Sequence, residues 1–452
     1  MGTNLAREEL FNRLEEADRE VTVDELADVL GTTIKADQHN KVIAFLGMLL
    51  NYTEEDQLNI GFSADSSSGK TYIPLELAAY FPAQDVMDVG YASPSAFFHE
   101  FGEWDEETNT KTLSLEKKIL IFLDQPSDEL LQRLRPLLSH DKRVLKIKIT
   151  DRSKRGGHAT KNVMLIGYPT VIFCSTRFSL DEQERTRLLQ LSPETSDEKI
   201  TAALQLLAER LSNRDAFRRQ LEEDPRRQWL AARVEAVKSA RIDQVTIDSK
   251  DSQRILDHFN GRHYFKIPRL TRDLPRLIAL AKAHCLLNFA HRQRTDDDTT
   301  RSLQATADDV DAAIKLYEEI AEANELGLPP AVHEFYKKVL RPLDQGVTRR
   351  ELATLYYSHY HRTIGERRLK ALLTLLEAAG LVYEEPDPED KRRMKIYATG
   401  GVTTQDYGPL DPYKKEVYPD GTLIRQTNLA NNNDKAGSHT PRVIYSSKEA
   451  RT

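Results

Sequence analysis

Ala64, Asp65, Ser66, Ser67, Ser68, Gly69, Lys70 and Thr71 follow the apolar-rich run Leu58–Phe62 and precede a helix-like stretch, Leu75–Tyr80. Small residues between a strand and a helix let successive backbone N–H groups turn inward on an anionic chain. A lysine late in such a loop reaches the β and γ oxygens of a triphosphate, and the hydroxyl after it can ligate magnesium. The segment is therefore expected to cradle ATP with Mg2+, through Lys70 and Thr71. Ala64 stands where glycine is usual, and that turn tolerates a small side chain. The plain alternative is a serine-rich surface turn.

A second motif argues against that alternative. After the paired lysines Lys117 and Lys118, the five apolar residues Ile119–Leu123 read as a strand buried on both faces. Asp124 ends it and is the expected carboxylate on the metal side. The next position suits a glutamate that takes a proton from the attacking water, and here it is Gln125. An amide can hold a water but cannot deprotonate it, so hydrolysis is expected to be slow unless Asp128 or Glu129 assists. The strand-like Thr170–Thr176 ends in hydroxyls, and Ser175 or Thr176 would sense the γ phosphate there. Arg187, with Arg185 as second choice, precedes the apolar-leaning Leu188–Leu191. It is expected to reach a neighbouring subunit's γ phosphate and stabilise charge in the transition state. Arg272 lies in the first turn of an amphipathic helix beginning near Leu270, where a cation opposes the macrodipole unless it faces a phosphate. It is expected to swing onto the nucleotide from above.

Such groups need a sheet to gather them. Residues 36–195 alternate strand and helix signals, the pattern of a three-layer α/β core. Residues 1–35 form a helical segment, with Thr22–Glu25 a capping box and Gly31 a stop. Residues 196–325 read as a helical lid broken by a β-like run at Arg241–Asp248. Residues 401–452 are too polar and too rich in Gly, Ser, Thr, Pro and Asn to bury a core, and read as a disordered tail.

The 452-residue chain is 30% charged and 39% hydrophobic with a formal net charge of -7, which excludes indiscriminate binding to polyanions. A nucleic-acid surface must then be local. Asp141–Lys161 holds eight Lys or Arg against two Asp. Alternation at Lys146–Ile149 and a returning strand at Asn162–Ile166 make it a β-hairpin. Lys148, Arg152, Lys154, Arg155 and Lys161 are the expected DNA contacts, and Gly156 and Gly157 allow close backbone approach. The alternative is an edge hairpin whose lysines block aggregation. Residues 330–400 read as a winged helix: Thr348–Glu351 and Thr363–Glu366 are capping boxes, and Leu381–Glu385 pairs with Met394–Tyr397. Arg367, Arg368 and Lys370 on its second helix are further DNA candidates, although such domains also bind proteins. Cys174 and Cys285 lie in apolar contexts as free thiols, which suits a reducing, cytoplasmic setting. No apolar run is long enough to span a bilayer, and the polar N-terminus is no signal peptide.

With these residues together, the chain resembles an AAA+ ATPase of the helicase clade that carries a β-hairpin before its first sensor. It is similar to primase–helicase-like ATPases of mobile elements and viruses, and more distantly to minichromosome maintenance helicases. Ala64–Thr71, Ile119–Gln125, the hairpin at 146–166, Arg185–Arg187 and Thr271–Asn288 carry the resemblance, which spans roughly residues 36–325. It implies a AAA+ P-loop core with an α-helical lid and an appended winged helix. It further implies a ring, taken as a hexamer, that moves on single-stranded or forked DNA in replication, with basic hairpins lining the pore. Arg272 takes the second-sensor place. Gln125 departs from the family pattern, and the absence of zinc-ligand cysteines and primase motifs leaves priming unsupported. Two other readings stay open: an origin-binding initiator of the origin-recognition-complex type, which would lack the hairpin, and an ATP-switched DNA-binding regulator without motor activity.

Overall fold

A computed structural model of the protein describes residues 19–90, 102–105, 107, 110–151, 159–175, 187–263, 268–297 and 299–399, with the side chains of 149–151 and 159–161 left aside. The first described helix, α1 (Val23–Leu30), opens on the predicted capping box. Glu25 N–H donates to the Thr22 hydroxyl at 3.2 Å and Thr22 N–H to the Glu25 carboxylate at 3.0 Å. Helix α2 (Gln38–Leu49) is buried from Lys41 onward, as its near-continuous apolar sequence requires. There follow β1 (Ile60–Ser63), α3 (Tyr72–Ala78), β2 (Val86–Val89), β3 (Glu103–Asp105) and β4 (Thr110–Ser114). Next come β5 (Ile119–Phe122), α4 (Asp128–Leu138), β6 (Val144–Asp151), β7 (Ala159–Ile166), β8 (Thr170–Ser175) and β9 (Leu189–Leu191).

Five of these strands form a parallel sheet in the order β2-β5-β8-β1-β9. Strands β1, β5, β8 and β9 are buried throughout, because a parallel sheet covered on both faces leaves no wet side. The order matters for the site. β8 lies between the strand that delivers the expected phosphate loop and the strand that delivers Asp124. The register pairs Ser63 with Ser175 and Phe122 with Phe173, so Asp124 emerges level with Ser175.

The expected basic hairpin is present, with β6 and β7 in register from Val144↔Ile166 to Asp151↔Ala159. It belongs to a four-stranded sheet, β3-β4-β7-β6, in which β4 runs parallel to β7. Strands β3 and β4 carry no sequence signal, since only Leu113 among them is buried. Leu113, Val163 and Leu165 share one core with Leu130 and Leu134 of α4 and with Phe122 and Phe173, whose rings stack at 5.1 Å. The hairpin is thereby anchored to one face of the parallel sheet.

The region expected to form a lid comprises α5 (Asp197–Ser212), α6 (Arg214–Glu223), α7 (Pro225–Ala240), β10 (Gln244–Thr246), α8 (Ser249–Arg262), α9 (Leu270–Leu287), β11 (Gln293–Arg294), β12 (Ser302–Gln304) and α10 (Ala307–Glu325). β10 falls within the β-like run read from the sequence, but its partner β12, and β11 on the far side of β12, are too short to show alternation. Leu277, Leu280, Val310 and Leu316 pack in one core with Leu26 and Leu30 of α1 and Val42 and Leu46 of α2. Beside that core, Asp309 accepts from His284 Nδ1 at 2.6 Å and from Arg292 Nε and Nη2 at 2.7 and 2.8 Å. Burial would raise its pKa, but these bonds outweigh it and hold the carboxyl at about 2.

Beyond α10 lie α11 (Pro330–Phe335), α12 (Arg349–Tyr360), α13 (Glu366–Ala378), β13 (Val382–Pro386) and β14 (Met394–Ala398). The capping box at Thr348 forms as read, with Thr348 N–H donating to Glu351 at 2.8 Å. The one at Thr363 does not. Gly365 is the N-cap of α13, which puts Glu366 in the first helical position, too early to fold back on a cap. Leu369, Leu372, Leu373 and Leu376 are its buried face, and β13 and β14 pair antiparallel around 387–393. Among the described residues no helix is long and apolar enough to cross a membrane. The tail expected at 401–452 lies outside the described residues.

Candidate nucleotide site

β1 ends in the phosphate loop, whose first N–H, that of Ala64, still bonds the Ser175 carbonyl of β8 at 3.2 Å. Ala64 is buried and has no positive φ, which explains why alanine serves there. The left-handed backbone falls instead at Ser67, φ +64°, and Gly69, φ +94°. A Cβ on Gly69 would meet only Lys199 Nζ, at 4.0 Å, so backbone conformation and not space demands glycine. The Ser68 hydroxyl donates to the Asp65 carbonyl at 2.8 Å and tightens the loop, while Ser66 and Ser67 are exposed.

The groups that could do chemistry converge here. Cys174 Sγ sits 3.3 Å from the Lys70 carbonyl, and its thiol is pushed up to about 12, chiefly by burial, with Lys70 opposing and Asp124 adding to the shift. The Lys70 backbone lies at Cys174 and the strand register puts Asp124 level with Ser175, so Lys70 and Asp124 flank the end of β8. Asp124 is exposed and accepts the Gln125 N–H at 2.8 Å, and the Ser175 hydroxyl donates to Gln125 Oε1 at 3.0 Å. Ser175 therefore orients the Gln125 amide. Of the two helpers considered for Gln125, Glu129 turns to Arg133, whereas Asp128 is exposed in the first turn of α4.

The donor set fits a magnesium nucleotide. Among the described residues no cluster of three His, Cys, Asp or Glu could hold a metal by itself. One hydroxyl, Thr71, and one carboxylate, Asp124, match an ion that keeps water and phosphate oxygens as its other ligands. Among the described residues neither Lys70 nor Asp124 has an ion-pair partner, which leaves a cation suited to phosphate and an anion suited to metal.

Beside the loop lies a cavity of about 390 Å3 lined by Ser66–Gly69, Ile34, Tyr72, Ile200, Leu204 and Leu207. Ile200, Leu204, Leu207 and Leu211 form one apolar stripe along α5, a helix with no buried residue, and Leu204 is 61% exposed. Apolar walls beside a phosphate loop suit a nucleoside. Lys199, on the same helix, contacts the Asp37 carboxylate and lies 3.5 Å from the Ser68 carbonyl. Asp37 is fully buried and also accepts the Glu194 N–H at 2.8 Å. Sequence reasoning missed this wall, although the 4-3-4 apolar spacing on α5 was there to find.

The arginines lie elsewhere. Arg187 Nε donates to the Ser139 hydroxyl at 2.6 Å, just past the end of α4. That end is tied to the start of β1 by Asn59, which donates to the Leu138 carbonyl at 2.9 Å. Arg187 thus sits at the end of the sheet opposite the phosphate loop, a strand length of about 13 Å away. Arg276 donates to the Leu188 carbonyl at 2.8 Å and pairs with buried Asp273, so the start of α9 is pinned to that same end. Arg272, one turn earlier and exposed, goes with it. It does not swing over its own chain's phosphate loop as expected, because the buried Asp273–Arg276 pair holds its helix at the far end. Arg185 lies outside the described residues.

Of the expected DNA contacts, Lys148 is exposed beside Lys146 on the outer face of β6, and Lys161 stands in register with Ile149. Arg152, Lys154 and Arg155 lie outside the described residues. Arg143, counted among the basic residues of this segment, is engaged at the hairpin base by Glu116 at 2.9 Å and Glu54 at 3.4 Å. On α13, Arg367 and Lys370 are exposed, but Arg368 turns to Asp65 of the phosphate loop. Its expected place on a DNA-facing surface is corrected: a carboxylate at the neighbouring loop holds it.

Lys70→Ala is expected to abolish ATP binding without loss of fold, since it removes a charge from a solvated loop and not from the core. Equilibrium titration with a fluorescent ATP analogue, beside circular dichroism, checks this. Unchanged affinity would remove the site.

No family model matches the sequence, and no curated protein matches it. Among solved structures, the chain is similar to a full-length MCM homolog from Methanopyrus kandleri, at 13% identity and a TM-score of 0.41. The similarity covers 69% of this chain and 62% of that one, so the chain spans less than two thirds of that protein's length.

Proposed function

We propose that the protein is a Mg2+-dependent ATPase that assembles head to tail into a ring, taken as a hexamer, and moves along DNA as a replicative-type helicase. The carrying observation is the division of the sheet's two ends: Lys70, Thr71, Asp124, Gln125 and Ser175 at one, Arg187 and Arg272 at the other. Groups that must meet on one γ phosphate, yet lie a strand apart within a chain, meet between copies. A contact that joins unlike surfaces closes into a ring when its rotation permits. Lys70 and the loop amides bind phosphate, Thr71 and Asp124 hold the ion, Ser175 and Gln125 position water, and the neighbour's Arg187 neutralises developing charge. Bound Mg2+ supplies the electrostatic pull on the β and γ oxygens. The basic hairpin tracks the DNA backbone without reading sequence, and residues 330–400 act as a winged helix. A cytoplasmic location goes with this reading, Cys174 and Cys285 being buried free thiols. The regulator reading keeps one specific support, the amide at Gln125.

Replacing Arg152, Lys154 and Arg155 together by alanine tests the DNA part. Three lost phosphate contacts are expected to flatten the salt dependence of binding by about 2.7 log units per log unit of salt on duplex, or about 2.1 on single strands. Basal ATPase should survive and DNA stimulation should fall. An unchanged slope with unchanged stimulation would move DNA to α13 and favour an initiator or regulator.

A further inference from the structure

Asp65 is the second residue of the phosphate loop, and its side chain is only 12% exposed. Two arginines from the C-terminal region, Arg362 in the connection between α12 and α13 and Arg368 on α13, take its carboxylate. Arg362 Nη1 lies 2.8 Å from Oδ2, and Arg368 contacts Oδ1. Arg362 lies over the rings of Tyr356 and Tyr360, 5.9 and 5.6 Å from their centroids, and lines the cavity beside the loop. A second tie is independent of these charges. The Ser192 hydroxyl donates to the Ser63 carbonyl at the end of β1, 2.7 Å, and accepts the Ala331 N–H of α11 at 3.2 Å. The C-terminal helices are therefore fastened to the strand end and loop that would carry phosphate.

We propose that Arg362 and Arg368 are positioning residues of the nucleotide site, acting on the phosphate loop through Asp65. This rests on the nucleotide reading given above. Unpaired, Asp65 would place a negative charge within the loop that must accept a triphosphate. Paired with two guanidiniums, that corner of the loop carries a net positive charge. The pairing also links ATP to the C-terminal helices: DNA can take Arg368 from α13 only if Arg368 leaves Asp65. A ligand that competes for one partner of a pair acts on the other partner's site by the same coupling.

The test is a mutant cycle on the full-length protein, read by titration with a fluorescent ATP analogue and by steady-state ATPase. Arg362→Ala with Arg368→Ala is expected to raise the dissociation constant and KM about tenfold, with kcat little changed. In an Asp65→Asn background the same pair of changes is expected to cost less than about twofold, because the charge being neutralised is gone. Arg368→Lys should restore much of the affinity, and melting curves should show that the variants are folded. Equal losses with and without Asp65 would overturn the proposal, by showing that the arginines act on the nucleotide directly or on stability alone. Unchanged affinity in the arginine variants would overturn it too. Lys70→Ala, measured alongside, separates the two readings. If it still binds ATP, the nucleotide site itself fails. If it does not bind while the cycle is additive, only the role of Arg362 and Arg368 fails.

Discussion

Arg187→Ala should lower ATP hydrolysis by about 10³- to 10⁵-fold while leaving ATP affinity nearly unchanged, the size of effect seen when a charge-stabilising arginine is withdrawn. The expectation follows from position. Arg187 bonds Ser139 at the N-terminal end of the sheet, whereas Lys70 follows the C-terminal end of β1. Within one chain the two lie at opposite ends of the sheet, so in the proposed ring Arg187 would contribute only to a neighbour's site. Mixing Arg187→Ala with Lys70→Ala protein should therefore restore activity, because some interfaces in the hybrid keep one intact loop and one intact arginine. Phosphate release across a mixing series measures this. Arg272→Ala provides a comparison, since its helix is pinned to the same end. No rescue, together with an inactive Arg185→Ala, would move the role from Arg187 to Arg185. Loss of ATP affinity in Arg187→Ala would argue for a structural role through Ser139.

Gln125→Glu should raise turnover, by up to the 10²- to 10⁴-fold that a positioned general base typically contributes. The substitution keeps the shape of the side chain, and a carboxylate can still accept the Ser175 hydroxyl that now reaches Oε1 at 3.0 Å. Asp124 next to it is a like charge, which favours a more basic carboxylate. Single-turnover hydrolysis in wild type and variant checks this. Slow, DNA-stimulated hydrolysis in the wild type, rising in the variant, supports a motor with a weak base. Tight binding without turnover in the wild type, with hydrolysis gained in the variant, describes a switch. A wild-type rate equal to that of Lys70→Ala, with or without DNA, would leave only the regulator.

Much of the phosphate end was legible because its residues are contiguous. A loop such as Ala64–Thr71 carries its chemistry in local backbone turns, and Ile119–Phe122 announces a doubly covered strand by leaving no polar position. The hairpin was legible for the same reason, since Lys146–Ile149 alternates at the period of a strand. Less visible were β3 and β4, which bury one side chain between them, and β11 and β12, too short for any period. The apolar stripe on α5 carried a readable spacing. Which cavity it walls depends on the elements opposite.

Residue type and spacing by themselves single out the groups proposed to hold phosphate, metal and water, because those capacities belong to side chains and short loops. Tertiary structure alone decided where the arginines go. A helix start such as Leu270–Asp273 has the same local sequence whether it hangs over the phosphate loop or lies at the far end of the sheet. The buried Asp273–Arg276 pair, closing on the Leu188 carbonyl, selects the far end. Likewise nothing local to Arg368 distinguishes a DNA contact from a partner for Asp65, just over three hundred residues away. That choice depends on the packing of α11–α13 against the end of β1, and long-range packing is a property of the whole chain.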